Sequence, residues 1–171
     1  METQSRSLNI FCSSCHAQLG YFNFRTAAVT LLKWQVSSKS VSNALPGIPE
    51  CLAATLTSTI ARTGSSKSLI TPIGDAQEGK SKAIYIWVLN SGIVYSSSAT
   101  AQSTPAIKLL YQLTSQEQAD RMLEGMNCDA QEINLPADAI GKVIQHLDES
   151  NLLLPEKERG LREWKVGLLS R

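Results

Sequence analysis

The sequence predicts an α+β domain, a mostly antiparallel sheet packed with about three helices, with an apolar C-terminal tail docked on the core. Strand-like segments and one helix come first and two helical segments follow, without the strict alternation of a doubly wound parallel sheet. The tail, residues 150–171, stays apolar almost to its end, whereas free chain ends are usually polar. We expect it to pack on the sheet built on residues 82–90 and on the apolar stripe of a helix that begins at Pro136.

The composition fits one domain over residues 1–171, with 43% hydrophobic and 18% charged residues. Sixteen basic and fifteen acidic residues give a net charge of +1, so we predict no direct binding to nucleic acid. The longest apolar run, residues 83–89, is far shorter than the roughly 20 residues of a membrane helix, so we predict no membrane partner. Four cysteines, two of them scattered, favour a reduced intracellular protein.

The first strands are predicted at residues 8–12 and 19–24, on either side of the Cys-x-x-Cys pair formed by Cys12 and Cys15. This arrangement can present two thiolates to zinc at tetrahedral spacing, so both cysteines are candidate metal ligands and zinc is a candidate cofactor. Further ligands would have to come from elsewhere in the chain: Cys51, Cys128, His16 or His146. A tight turn with two small, partly buried thiols remains the alternative.

Residues 26–37 are rich in β-branched and aromatic side chains and predict a strand whose Leu32, Trp34 and Val36 share a face. The Ser, Asn, Pro and Gly residues of 37–49 predict a mobile surface loop.

Pro49 opens a helical pattern, and Gly64 is placed to cap its C-terminus. Cys51 lies near the start of this helix, where the helix dipole would lower the pKa of an exposed thiol; burial of a small side chain is the alternative. A strand at 67–73 and a polar loop at 74–81 follow.

Residues 82–90 predict a central strand because their apolar side chains run continuously. Asn90 to Gly92 has turn chemistry, so we expect residues 93–96 to return as the hairpin partner. The low-complexity segment 96–104 predicts a second mobile loop, and 106–111 predicts another strand.

Helical periodicity dominates the rest of the chain. Thr114 and Glu117 fit a capping box that opens a helix running through Met126. Residues 132–135 are expected to form an extended link. Pro136 then begins an amphipathic helix with an apolar stripe of Ile140, Val143, Ile144 and Leu147.

Cys128 is the candidate catalytic residue, since it lies on a predicted turn beside Gly125 and Asn127. Asp129 would raise the pKa of this thiol, which favours a plain loop cysteine as the alternative. Motifs of hydrolases, metalloproteases and dinucleotide-binding enzymes are absent from the sequence.

The C-terminal sequence resembles the terminal signature of the HECT-like E2-binding protein family, with its Asn-Leu-Leu-Leu-Pro, Arg159 and Trp-Lys-Val-Gly-Leu-Leu elements. Other parts agree in order over nearly the whole chain: Cys12 and Cys15 with Leu19 and Gly20, the Leu-Leu-Lys-Trp34 segment, Gly64-Ser-Ser-Lys67, Ile86-Trp-Val-Leu-Asn90, Tyr95-Ser-Ser, and Lys108-Leu-Leu-Tyr111.

The resemblance implies an E3 ubiquitin-protein ligase that binds a ubiquitin-conjugating enzyme (E2), promotes ubiquitin transfer to a substrate, and acts in the nucleus and cytoplasm. The family's fungal branch is linked to mRNA 3′-end processing. The alternative is therefore a non-catalytic adaptor or chaperone for the cleavage and polyadenylation endonuclease. The chain is expected to be the C-terminal half of the family's shared region. The candidate binding residues are those of the terminal signature, Trp164, Gly167, Leu168 and Leu169, with a structural role as their alternative.

Two features depart from the family pattern. Animal-type members carry a Trp-, Cys- and His-rich segment that can complete a metal site, and residues 37–49 offer no such ligands. No segment matches the catalytic-cysteine loop of true HECT ligases, so no motif supports thioester transfer through this chain.

Overall fold

The computed structural model describes residues 7–24, 26–37, 45–73, 82–97, 100–125 and 128–171, and these residues form an α+β fold, as predicted. The helices are α1 (Ile48–Thr63), α2 (Gln116–Glu124) and α3 (Ala137–Leu152), with a short 3-10 turn at Glu156–Glu158. The strands are β1 (Ser7–Phe11), β2 (Gln18–Asn23), β3 (Ala28–Leu31), β4 (Lys67–Pro72), β5 (Lys82–Ser97), β6 (Thr100–Ser115), β7 (Gln131–Leu135), β8 (Gly160–Leu161) and β9 (Trp164–Ser170).

The main sheet has six strands in the order β7-β4-β5-β6-β9-β8. All neighbouring strands are antiparallel except β4 and β7, which are parallel. Helices α1 and α3 cover one face, here called the inner face, through a core that includes Leu56, Ile84, Leu109, Val143 and Leu147. Helix α2 packs on the opposite, outer face against Leu69 and Ala83. Adjacent residues of a strand point to opposite faces. Since helices cover both faces of the sheet here, β4 and β5 carry apolar side chains on both sides.

The C-terminal tail is docked on the core as predicted, because residues 164–170 form β9. This strand pairs with β6, from Tyr111↔Lys165 to Ala106↔Ser170, and so joins the sheet built on residues 82–90, as predicted. Helix α3 packs over β9, and Gly167 permits the contact: a Cβ atom there would lie 2.8 Å from Leu147 Cδ2 and 3.2 Å from Tyr111 Cε1. The absence of a side chain thus sets the distance between helix and strand.

A three-stranded antiparallel sheet, β1-β2-β3, precedes α1. The strand predicted over 26–37 is shorter than expected, because β3 ends at Leu31 and the chain then turns, with Gln35 N–H donating to Leu32 O. Leu32 is nevertheless buried and Trp34 packs against the main core. Leu32 and Trp34 therefore face inward, as predicted. The prediction that a strand carries them is wrong, because they lie on the turn that follows β3.

The hairpin predicted at Asn90 to Gly92 is wrong. Strand β5 continues through this segment, with irregular register between Val88 and Ile93, and its partner is the long β6. Asn90 Oδ1 accepts from Gly92 N–H, so the turn-forming residues make a local kink within the strand. The loop predicted at 96–104 is also wrong, since β5 reaches Ser97 and β6 begins at Thr100; residues 98–99 lie outside the described residues.

Three smaller expectations also change. The capping box of α2 is shifted by one position: Ser115 and Gln118 exchange side-chain and backbone hydrogen bonds. The segment predicted as an extended link at 132–135 is extended and forms strand β7, which pairs with β4 in parallel. Helix α1 begins at Ile48 and is capped at its C-terminus, as predicted, by Gly64, whose φ of 75° suits glycine.

Some predictions concern residues outside the described ranges. These are the loop at 74–81, residues 38–44 of the loop predicted at 37–49, and Met126 of the predicted second helix.

None of the helices in the described residues combines the length and the apolar character that crossing a bilayer requires.

Candidate functional site

Three aromatic side chains lie together on the outer face of the main sheet. The ring centroid of Trp164 is 5.0 Å from that of Tyr85 and 6.3 Å from that of Trp87. Trp87 is 37% exposed, and the other two rings are half-buried. We call Tyr85, Trp87 and Trp164 the outer-face aromatic cluster. Large aromatic residues that remain accessible on a rigid sheet are typical of protein-binding surfaces.

The strand register fixes the position of this cluster. Lys67, Trp87, Leu110 and Val166 lie directly opposite one another on β4, β5, β6 and β9, and so share the outer face. Leu110 and Val166 are buried, so the exposed Trp87 ring lies on the same face as buried apolar side chains. Each cluster residue belongs to a strand, which holds the rings more precisely than a loop would. Tyr85 also packs against the core cluster beneath α2.

A pair of opposite charges borders the cluster. Lys67 Nζ lies 2.8 Å from Asp129 Oδ2 and 5.6 Å from the centroid of the Trp87 ring. The hydrogen bond with Asp129 raises the pKa of the Lys67 amine, and the same bond lowers the pKa of Asp129. Lys67 therefore stays protonated and makes a cation–π contact over the ring of Trp87.

The candidate catalytic residue Cys128 lies beside this charged pair. Its thiol is close enough to act electrostatically on Lys67 and on Tyr85, whose own pKa is raised mainly by burial. The Cys128 thiol is partly buried and donates a weak hydrogen bond of 3.8 Å to Ala130 O. Because Lys67 is held protonated by Asp129, it is not available as a general base for this thiol. The structure thus brings Cys128 to the border of the aromatic cluster without giving it an activating base from this pair.

Comparison with protein-family models identifies a family that matches nearly the whole chain. The model of the family described as HECT-like ubiquitin-conjugating enzyme (E2)-binding covers residues 1–166. The chain belongs to this HECT-like E2-binding family. Membership supports E2 binding as the general function and confirms the resemblance of the sequence to the family. Comparisons with curated proteins and with solved structures gave no significant match.

The terminal signature of this HECT-like E2-binding protein divides between two environments. Gly167, Leu168 and Leu169 are buried in β9 and closed to a partner in the folded chain. Gly167 and Leu169 lie on the inner face beneath α3, whereas Leu168 lies on the outer face. Trp164, at the start of the same strand, lies in the outer-face aromatic cluster. Of the four candidate binding residues, Trp164 is therefore the one whose side chain reaches a surface.

Cys12 and Cys15 lie on the turn between β1 and β2. Backbone amides of Cys15 and Ser14 donate to the Cys12 sulfur, the Cys15 thiol lies within hydrogen-bonding reach of it, and these bonds lower the pKa of Cys12. The described residues contain no group of three or more His, Cys, Asp or Glu side chains that could hold a metal ion. Two thiols alone do not fit a structural zinc site, which takes four protein ligands.

Cys51 does not behave as an activated thiol. It lies in the first turn of α1 and lines a groove of about 620 Å³ between this helix and the small sheet, together with Tyr21 and Trp34. Burial raises the pKa of Cys51, and this effect outweighs the nearby charge of Lys33. The alternative of a packed small side chain therefore describes Cys51 better than the dipole-activated thiol.

Sequence reasoning missed Tyr85, Trp87 and Lys67 as members of a surface site. The continuous apolar run at 82–90 indicated that both faces of the strand are covered, whereas Trp87 and Leu89 remain exposed. The alternation of Tyr85, Trp87 and Leu89 against three aliphatic residues was the available signal, because it places the aromatic side chains on one face.

Proposed function

We propose that this chain binds a ubiquitin-charged E2 through the outer-face aromatic cluster and promotes ubiquitin transfer to a substrate, as an E3 ubiquitin-protein ligase. The observation that carries the proposal is the exposure of Trp87 in a rigid group of aromatic rings, in a chain whose family is named for E2 binding. Trp and Tyr are enriched among the residues that dominate binding energy at protein interfaces. The same proposal includes action in the nucleus and the cytoplasm.

Direct transfer from the E2 to the substrate fits the chemistry of the cluster better than a thioester on this chain. A relay would require the Cys128 thiolate to attack the thioester carbonyl of the charged E2, with the E2 cysteine leaving as a thiolate. Lys67 carries its proton at neutral pH, which its hydrogen bond to Asp129 favours, so this pair supplies no base for Cys128. In direct transfer, this chain orients the charged E2 and the acceptor amine attacks the E2 thioester itself.

The test is a discharge assay with an E2 loaded with ubiquitin, a free amine acceptor and the whole chain. We expect the chain to bind the E2 and to accelerate loss of the E2 thioester. Cys128→Ser should retain this acceleration, and Cys51→Ser serves as the matched control at a partly buried cysteine. A chain that neither binds any E2 tested nor accelerates discharge contradicts the proposal. A reducible ubiquitin adduct of the chain that disappears in Cys128→Ser would replace direct transfer by a relay.

A second candidate function is that of a non-catalytic adaptor or chaperone for the cleavage and polyadenylation endonuclease. The same exposed aromatic cluster favours it, because such a surface suits any protein partner and needs no reacting group. The two functions differ in one measurement. An adaptor forms a complex with the endonuclease that is weakened by Trp87→Ala, and leaves the rate of E2 discharge unchanged.

A further inference from the structure

The hairpin that joins β1 to β2 carries a pair of thiols, and neither E2 binding nor ubiquitin transfer uses them. Cys12 directly follows the first strand, and Cys15 lies within the turn. The turn is closed twice by the backbone: Cys12 N–H donates to Ala17 O at 2.8 Å, and His16 N–H donates to Cys12 O at 3.0 Å. His16 adopts a left-handed φ of 57°, which lets the chain reverse immediately after Cys15. The fold therefore holds the backbones of the two cysteines within one closed turn.

The two thiols differ in environment in a way that suits sequential chemistry. The Cys12 sulfur receives the backbone amides of Ser14 and Cys15, which stabilise negative charge on it, and the Cys15 thiol lies within hydrogen-bonding reach. Cys15 is exposed, and Cys12 is partly exposed. A thiolate held by amide donors beside an accessible second thiol is the arrangement of a reactive cysteine and its resolving partner.

A metal would be the other use of such a pair, but the described residues supply no third ligand of the His, Cys, Asp or Glu type. Closing the pair into a disulfide needs no further protein ligand. It needs the sulfur atoms to approach bonding distance, and the closed turn holds the two residues within one short loop.

We propose that Cys12 and Cys15 form a reversible oxidation site, in which a peroxide converts the two thiols to an intramolecular disulfide. The Cys12 thiolate attacks the peroxide O–O bond, which yields Cys12 sulfenic acid and hydroxide. The Cys15 thiol then attacks that sulfur, the S–S bond forms and water leaves, so two thiols and one hydrogen peroxide give one disulfide and two waters. A dithiol reductant reverses the reaction by thiol–disulfide exchange. The site is independent of the proposed E2 binding.

The experiment treats the full chain with hydrogen peroxide at neutral pH and counts accessible thiols after denaturation. We expect the count to fall from the four cysteines of the chain to two. Peptide mapping should identify the Cys12–Cys15 bond, and dithiothreitol should restore all four thiols. Cys51→Ser and Cys128→Ser should still form the bond, while Cys12→Ser and Cys15→Ser should not.

Several results would overturn the proposal. These are persistence of all four thiols at a peroxide excess that oxidises free glutathione, disulfide-linked dimers as the main product, and direct conversion of Cys12 to sulfinic acid. Zinc that copurifies in equal amount and protects both thiols would assign the pair to a metal site instead. Mapping of the unmodified sequence decides among these outcomes without depending on the folding of any variant.

Discussion

The hydroxyl of Tyr111 donates a hydrogen bond of 2.7 Å to Asp148 Oδ1, and Lys165 Nζ lies 2.8 Å from the same oxygen. One carboxylate oxygen therefore joins strand β6, helix α3 and strand β9 at the position where the tail enters the sheet. Lys165 also lies 5.8 Å from the centroid of the Tyr111 ring. Asp148 lies outside the apolar stripe of its helix and fixes the helix to the tail.

Asp148→Asn should destabilise the protein at neutral pH and weaken its acid sensitivity. Burial alone would raise the pKa of Asp148, but the hydrogen bonds from Lys165 and Tyr111 outweigh it, so the folded pKa is below the ordinary value. The contribution of Asp148 is therefore fully present above the unfolded pKa of about 3.9 and is lost as pH falls through the folded pKa. Since the carboxylate is 44% exposed, we expect a loss of about 1 kcal/mol at pH 7.

Urea unfolding at pH 7 and across the acid range measures this effect. Glu149→Gln is the control, because Glu149 is exposed on the same helix and pairs with Gln145 one turn earlier. Equal free energies of unfolding for Asp148→Asn and Glu149→Gln at every pH would contradict the role assigned to Asp148.

Gly167→Ala should destabilise the fold by about 1–3 kcal/mol, the usual range for overpacking a core. The new methyl group would lie 2.8 Å from Leu147 Cδ2 and against the Tyr111 ring, so α3 would have to move away from β9. Gly141→Ala is the matched control: no atom lies within 4 Å of its Cβ position, and alanine favours the helix interior. Thermal unfolding should show opposite shifts for the two variants, and equal shifts would contradict the packing account.

Asn151→Ala should loosen the tail. The Asn151 side-chain amide donates to Arg159 O at 2.7 Å and to Val166 O at 2.6 Å, and so bridges the connection before β8 to the middle of β9. Removal leaves these two carbonyls without that donor, at a cost of about 1–3 kcal/mol. Hydrogen exchange should then quicken at the Val166 and Leu168 amides. Gln145→Ala, on the exposed side of α3, should leave both amides protected; unchanged exchange in Asn151→Ala would contradict the bridging role.

Much of the fold could be predicted from the sequence, because hydrophobic periodicity and helix capping depend on neighbouring residues. The stripe of α3, the glycine cap of α1 and the apolar tail all follow from side chains and backbone preferences within a few residues. Strand partners did not follow, because the pairing of β5 with the long β6 depends on contacts distant in sequence. That pairing overrides the turn chemistry of Asn90 and Gly92, which becomes an irregularity inside a strand.

Less of the candidate site could be predicted from the sequence. Trp164 was identified through the terminal signature, but its neighbours Tyr85 and Trp87 come from β5, which is separated from β9 in the sheet by β6. The cluster exists only once the strand order brings these residues onto one face. Cys128 lies beside Lys67 through the Asp129 ion pair, a contact that no local pattern encodes.

The role of the outer-face aromatic cluster in E2 binding is tested most directly by the affinity of Trp87→Ala for an E2, measured by titration calorimetry against the unmodified chain. Trp87 is the most exposed ring of the cluster, so its truncation should cost about 1–2 kcal/mol of stability and leave the fold intact. Val94→Ala, on the exposed far part of the same strand, is the control. We predict that Trp87→Ala weakens E2 binding by about tenfold or more, as expected for an interface hot spot, and that Val94→Ala binds like the unmodified chain. Equal affinity of a folded Trp87→Ala variant and the unmodified chain would contradict the assignment of this surface.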